Sequence, residues 1–143
     1  VIATTIEVLV YSMIRPTERV DLVVSAIEKI FPGLIMDIRS DRIEAYDGLG
    51  SLKTFHKLLR EQKILDTARA VMMDGLLGDV LAFRLNKQAA LMGKVNFPPE
   101  EEPLGSIHVQ ITHGDRVINW LAPRTENGSP ISEMDVDEVI NDV

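Results

Sequence analysis

"TTIEVLVYSMIRPTERVDLVVSAIEKIFPG", residues 4–33, changes its period once, and that change decides the fold class. Residues 4–14 are β-branched and apolar with polar side chains interspersed, the pattern of a half-buried strand. Pro16 stops the strand and Thr17 is placed to cap a helix. Val20, Val23, Val24, Ile27 and Ile30 then recur at helical spacing, with Asp21 and Glu28 on the other face. Pro32 and Gly33 end that helix.

Outward from this unit the alternation of strand and helix is not kept. "LIMDIRS" and "RIEAYDG" read as two strands or one long bent strand. "GLGS" turns the chain, and Ser51 caps a second helix with Leu52, Phe55, Leu58 and Leu59 as its apolar stripe. A third helix runs through "ILDTARAVMMDG" to Gly75, either separate from the second or one bent helix with it. "DVLAFRLN" alternates, with Leu81, Phe83 and Leu85 on one face and Ala82 and Arg84 on the other. "KQAALM" suits a short helix and "KVNF" a short strand. "PPEEEPLG" is a loop, and "SIHVQITHG" with "DRVINWLAP" reads as a hairpin around "THGDR". "MDVDEVINDV" suits a short helix detached from the rest. The order gives an α+β fold of two layers, helices backing a mainly antiparallel sheet. Residues 1–131 form one domain and residues 132–143 an acidic tail.

Composition narrows the function classes. The chain has 143 residues, 45% hydrophobic but only 5% aromatic, so its core is aliphatic. No cysteine is present, which excludes disulfides, thiolate zinc sites and cysteine nucleophiles and fits a reducing, cytoplasmic setting. No apolar run reaches the ~18 residues of a membrane span. The opening residues lack a basic leader and contain Glu7, so they read as strand, not signal peptide. The net charge is −7. It divides into −3 for residues 1–50, +4 for 51–94 and −8 for 95–143. The middle third alone is cationic, and from Val80 to Pro99 it holds no acid at all.

Few motifs carry chemistry. His56, His108 and His113 do not converge in sequence. The last two, five apart in one strand, face opposite sides. No metal or cofactor is expected. "DVDEVIND" lacks the central glycine and terminal glutamate of a calcium loop. No serine sits in a nucleophile elbow, and no carboxylate pair is nominated. The chain is therefore not expected to be an enzyme. "DGLGSLK" could hold a phosphate on free backbone N–H groups, or be a glycine turn with a cap. Lys53, Lys57, Arg60 and Lys63 step along one helix face, and Arg69 extends the row if the helix continues. Such a ridge is either a solvated face or a track for backbone phosphates. Arg84, Lys87 and Gln88, at the strand-to-helix junction of the acid-free stretch, either close the turn or present donors to phosphate and 2′-hydroxyl groups. With one Trp and two Tyr, base stacking on the sheet is not expected.

The pieces "RPTE", "AIEKIFPG", "SLKTFHKLLREQKILDTAR", "GLLGDVLAFRLNKQAALMGKVNF", "LGSIHV" and "INWLAPRTENGSPISE" follow one another over about 130 residues. In that order the chain resembles the archaeal uncharacterised protein family 0201, whose members are labelled RNA-binding or exosome-associated. The resemblance implies a fold like large-subunit ribosomal protein five, a homodimer, and RNA as partner. Its specific pieces are "ILDTAR", "LNKQAA" and "WLAP.T..G", and the resemblance implies that any RNA contact falls on Lys87 and Gln88 of "LNKQAA" and Arg69 of "ILDTAR". The same residues have structural alternatives: Arg69 pairing with Asp66, and Asn86 capping the short helix. Non-enzymatic RNA binding through backbone phosphates is the first reading. The second is a protein-interaction module or accessory subunit of an RNA-processing complex.

Overall fold

The computed structural model describes residues 5–99 and 105–141. Six strands form one sheet: β1 (Glu7–Met13), β2 (Ile35–Ile38), β3 (Arg42–Gly48), β4 (Leu76–Leu77), β5 (Val80–Leu85) and β6 (Ile107–Ile111). Their order is β2-β3-β1-β6-β5-β4, and every pairing is antiparallel. The helices are α1 (Val20–Ile30), α2 (Lys53–Glu61), α3 (Leu65–Asp74), α4 (Lys87–Leu91), α5 (Gly114–Leu121) and α6 (Val136–Asn141). A two-strand ribbon, β7 (Thr125–Glu126) with β8 (Ser129–Pro130), stands apart from the main sheet. No helix among the described residues is long and apolar enough to cross a membrane. The α+β class read from the sequence is the architecture observed.

Strand alternation sorts the sheet into two faces. Val8, Val10, Ile43, Ala45, Leu81, Phe83, Leu85, Ile107, Val109 and Ile111 are buried on the inner face. Val23, Ala26, Ile27 and Ile30 of α1, Phe55 and Leu59 of α2, and Ala68 and Met72 of α3 complete that core. All four phenylalanines form a chain through it. Phe31 meets Phe55 at 5.4 Å, Phe55 meets Phe83 at 5.5 Å, and Phe83 meets Phe97 edge-on at 6.0 Å. The opposite, outer face is formed by the alternate positions of the same strands. It presents Leu9 and Tyr11 of β1, Glu44 and Tyr46 of β3, His108 and Gln110 of β6, and Ala82 and Arg84 of β5.

Several local readings change. Residues 114–121 are a helix, not the second arm of a hairpin. Val117, Ile118, Trp120 and Leu121 are all buried, the one-sided spacing of a helix. His113, at φ 52°, turns the chain out of β6, so it does not share a strand with His108, and the Gly114 N–H donates to the Asp79 carbonyl at 2.6 Å. Gly114 is required there, because an added Cβ would stand 2.3 Å from Leu81 Cβ. "KVNF" forms no strand. Neither Thr17 nor Ser51 is a helix cap. Arg19 is the N-cap of α1, and a 3-10 turn (Leu49–Leu52) precedes α2, where Ser51 Oγ donates to the Gly48 carbonyl at 2.8 Å. Asn86 does cap α4, its side chain accepting from the Ala89 N–H at 2.7 Å. α2 and α3 are separate. Lys63 adopts φ 57°, and the Ile64 N–H returns to the Leu59 carbonyl at 3.0 Å, closing a left-handed C-terminal turn. α6 is not detached, since Val139 is fully buried.

Candidate nucleic-acid interface

The eight candidate residues separate into three groups. Lys53 and Lys57 are exposed on α2, and Lys63 is exposed just beyond it. Lys57 reaches Glu61 one turn on, at 3.4 Å, with both side chains well solvated. Gln88 is exposed at the start of α4, beside a hollow of about 320 Å³ between α1 and α4.

Arg60, Arg69 and Lys87 face inward. The last carbonyls of a helix lack intrahelical donors, and cations near that end are favoured by the helix dipole. Arg60 supplies donors to the end of α5: Nη1 to the Leu121 carbonyl at 2.9 Å and Nη2 to the Trp120 carbonyl at 3.2 Å. Arg69 Nη1 serves the next carbonyl, Ala122, at 3.0 Å and also Asn119 Oδ1 at 3.0 Å. Thus the C-terminal turn of α2 does not continue the solvated ridge. Arg69 does not turn to Asp66, which accepts from Thr125 Oγ1 instead. Burial, and secondarily the nearby Arg124 guanidinium, lower the Arg69 pKa.

Arg60 also grips the acidic segment. Its Nε meets Glu133 Oε2 at 2.8 Å and its Nη2 meets Glu133 Oε1 at 2.6 Å, the two-pronged pairing of guanidinium with carboxylate. The Arg60 hydrogen bond holds the Glu133 carboxyl below the usual range. His56 stacks on Trp120 at 4.7 Å, and its Nε2 is buried with no hydrogen-bond partner among the described residues. Burial first, then Arg60, push the His56 imidazole below its ordinary value, while Glu133 and the Trp120 backbone act the other way.

Lys87 closes a junction rather than presenting a donor. Its side chain is 5% exposed, and Nζ donates to the Met13 carbonyl at 2.7 Å and to Glu18 Oε1 and Oε2 at 3.1 and 3.2 Å. Glu18 is 10% exposed and also accepts from the Arg15 N–H at 2.8 Å. The end of β1, the turn before α1 and the start of α4 are joined at one ammonium.

Arg84 lies on the outer face, opposite His108 across the β5–β6 pair, whereas α2 covers the inner face through Phe55. The structure therefore does not gather Lys53, Lys57, Lys87 and Arg84 on one surface. Arg84 Nη2 points along the β5 edge to the Pro98 and Pro99 carbonyls at 3.4 and 3.3 Å. There it borders a cavity of about 470 Å³ whose rim the sequence reading did not find. Tyr11 and His108 stand beside it, stacked at 4.8 Å with their planes 8° apart. Phe97, Gln110 and Asp74 complete its sides, and Ala82 lies at its floor. Strand alternation puts Tyr11 on the polar side of β1, but only the β1–β6 register brings it to His108. Glu100, Glu101 and Glu102 lie outside the described residues. Among the described residues no three His, Asp or Glu side chains are grouped to hold a metal.

Comparison with known proteins gives this arrangement its relatives. Residues 7–113 match a family model described as RNA binding. A UPF0201 protein of Metallosphaera sedula is 39% identical over 132 residues, 87% of this chain and 92% of that protein. A UPF0201 protein of Saccharolobus solfataricus is 38% identical over 136 residues, 88% and 93% of the two chains. The crystal structure of a UPF0201 protein from Methanococcus jannaschii superposes with a TM-score of 0.80 at 34% identity, over 88% of this chain and 99% of that one. From the residues quoted at the outset through the sheet order to these relatives the lines converge: the chain belongs to the archaeal UPF0201 family and carries its RNA-binding family domain.

Proposed function

We propose that this is a cytoplasmic, non-enzymatic RNA-binding protein that grips backbone phosphates through Lys53 and Lys57, with Lys63 just beyond the end of the same helix. One observation carries this reading: in the cationic third of an acidic chain, these lysines stay exposed while Arg60, Arg69 and Lys87 are engaged internally. The family description agrees with RNA as partner. An architecture of the large-subunit ribosomal-protein-five kind belongs to the same proposal.

Phosphate contacts release counterions, so affinity should fall linearly on a log–log plot against salt. Lys53→Ala/Lys57→Ala should lower that slope by about 1.4 for single-stranded RNA, at roughly 0.7 per contact. A filter-binding series from low to moderate salt measures it. An unchanged slope, or no binding of any RNA at low salt, overturns the reading.

A second reading has its own observation. Beside Leu9 on the outer face, Ile35, Tyr46 and Val80 are exposed around a mainly apolar groove of about 670 Å³. An apolar patch of this kind suits a protein partner, either a second copy of the chain or a subunit of an RNA-processing assembly. Sedimentation of the RNA-free protein separates self-association from the rest.

A further inference from the structure

We infer that the hollow between the end of α5 and the β7–β8 ribbon is a binding site for a terminal phosphate group. The site stands apart from the α2 lysines, and the RNA-binding reading bears only on the source of the phosphate, an RNA end or a small phosphate ester.

The hollow, of about 320 Å³, is lined by Asn119 of α5, by Pro123 and Arg124 before β7, and by Ile131, Ser132 and Met134 after β8. No carboxylate stands among these described lining residues, although residues 95–143 are the most acidic part of the chain. Two acids nearby are engaged elsewhere. Glu133 has both carboxylate oxygens on Arg60, and Asp66 accepts from Thr125 Oγ1. The ribbon is fixed in shape. Asn127 and Gly128 take positive φ, 54° and 82°, as a two-residue hairpin turn requires. The Ile131 N–H donates to the Arg124 carbonyl at 2.9 Å, which holds these two residues opposite each other across the base of the ribbon.

Two guanidiniums approach one another here. Arg124 is exposed, and its side chain makes no hydrogen bond or ion pair among the described residues. Arg69 reaches the hollow through Asn119. Its Nη1 donates to Asn119 Oδ1 and to the Ala122 carbonyl, both at 3.0 Å and both neutral oxygens. Its Nε and Nη2 have no acceptor among the described residues. The Arg124 charge adds to burial in lowering the Arg69 pKa, and no carboxylate acts the other way. Like charges within reach of each other repel, and an anion bound beside both relieves that repulsion.

Asn119 supplies a neutral donor. With Oδ1 occupied as acceptor by Arg69, its Nδ2 is the end left to donate, and Ser132 adds a hydroxyl. Pro123, Ile131 and Met134 bring an apolar wall, which strengthens charge interactions beside it. Charged and neutral donors next to such a wall complement a phosphate ester, with its oxygens on one side and its carbon substituent on the other. A terminal monoester carries about −1.5 to −2 at pH 7 and an internal diester a single charge, so a pair of guanidiniums matches the monoester.

The test uses the full chain in phosphate-free buffer at low salt, with two probe pairs. One is adenosine 5′-monophosphate against adenosine. The other is a single-stranded RNA hexamer with a 5′-phosphate against the same hexamer with a 5′-hydroxyl. Calorimetric titration should favour the phosphorylated member of at least one pair by about tenfold, as charge-assisted hydrogen bonds do. Arg124→Gln, at an exposed side chain, should bring that pair within about threefold. Asn119→Asp keeps an acceptor for Arg69 but turns the donor into a carboxylate, and should bring the pair within about twofold. A purely structural Asn119 would leave the preference unmoved by that change. Preference in the hexamers alone assigns the phosphate to an RNA end. Preference in the mononucleotide alone assigns it to a small ester, and preference in both makes the terminal phosphate the ligand whatever carries it. Mononucleotide preference with no hexamer binding keeps the site and overturns the α2 reading. A preference that survives both Arg124→Gln and Asn119→Asp overturns the site. So does the lack of preference in either pair, which leaves the α2 reading standing if the hexamers bind and weaken in Lys53→Ala/Lys57→Ala. Absence of binding by all four probes overturns both.

Discussion

Lys87 and Lys53 are the same residue type with opposite assignments, and burial decides between them. Lys87 holds three segments through a carbonyl and a carboxylate, and its ammonium and that carboxylate are both withdrawn from water. Removing one partner of such a pair leaves the other charge buried and costs about 3 kcal/mol or more. Lys87→Ala should therefore shift the urea midpoint strongly, while Lys53→Ala stays within about 0.5 kcal/mol of the parent. Equal effects in equilibrium unfolding would contradict both assignments. His56 gives a pH effect at the same scale. Its folded pKa is depressed, chiefly by burial, so between that value and the ordinary value of about 6.5 the unfolded chain binds more protons than the folded one. Stability should thus fall as pH drops through about 6.5 and level off below the folded value. His56→Gln should flatten that step when denaturation midpoints at pH 7.5 and 5.5 are compared. The depressed Glu133 carboxyl adds a separate loss only at lower pH, below about 4.3.

Elements were legible in the sequence where one physical signal dominated. Alternation in β5 and the 3.6-residue stripe of α1 specified type and face, because each buries one side only. The failures have physical causes too. α5 is eight residues long, too short for its period to stand out, and the left-handed His113 before its first residue, Gly114, makes "THGDR" read as a hairpin turn. The break between α2 and α3 uses Lys63 where glycine is usual, so it leaves no mark in the composition. The charged ridge was legible as spacing but not as destination. Residues 53, 57 and 60 do share a face, yet its last turn meets the carbonyl end of α5 and Arg60 is drawn inward. The Tyr11–His108 wall could not be read at all, since 97 positions separate the rings and only a strand register unites them.

At the scale of the whole molecule, the acidic segment after Ile131 is built into the domain rather than hung from it. Glu133 occupies the Arg60 guanidinium and Val139 is fully buried. Burying one valine stabilises by about 1.5–3 kcal/mol. A chain ending at Ile131 should accordingly melt several degrees lower in a calorimetric scan. An unchanged melting temperature would instead make the segment an independent tail. The same clamp places negative charge close to the α2 lysines, so a phosphate chain laid on Lys53 and Lys57 meets like charge at the far end of the helix.

β1 precedes the other strands of its sheet in the chain and sits in the middle of the sheet, paired on one edge with β3 and on the other with β6. Ninety-four positions separate Met13 from Ile107. At about 5–20 residues per second on a ribosome, the second edge of β1 waits roughly 5 to 20 s for its partner to be synthesised. Through that interval the nascent chain displays an open row of backbone donors and acceptors beside Val8 and Val10, apolar residues destined for the core. That row is closed only once β6 has been translated.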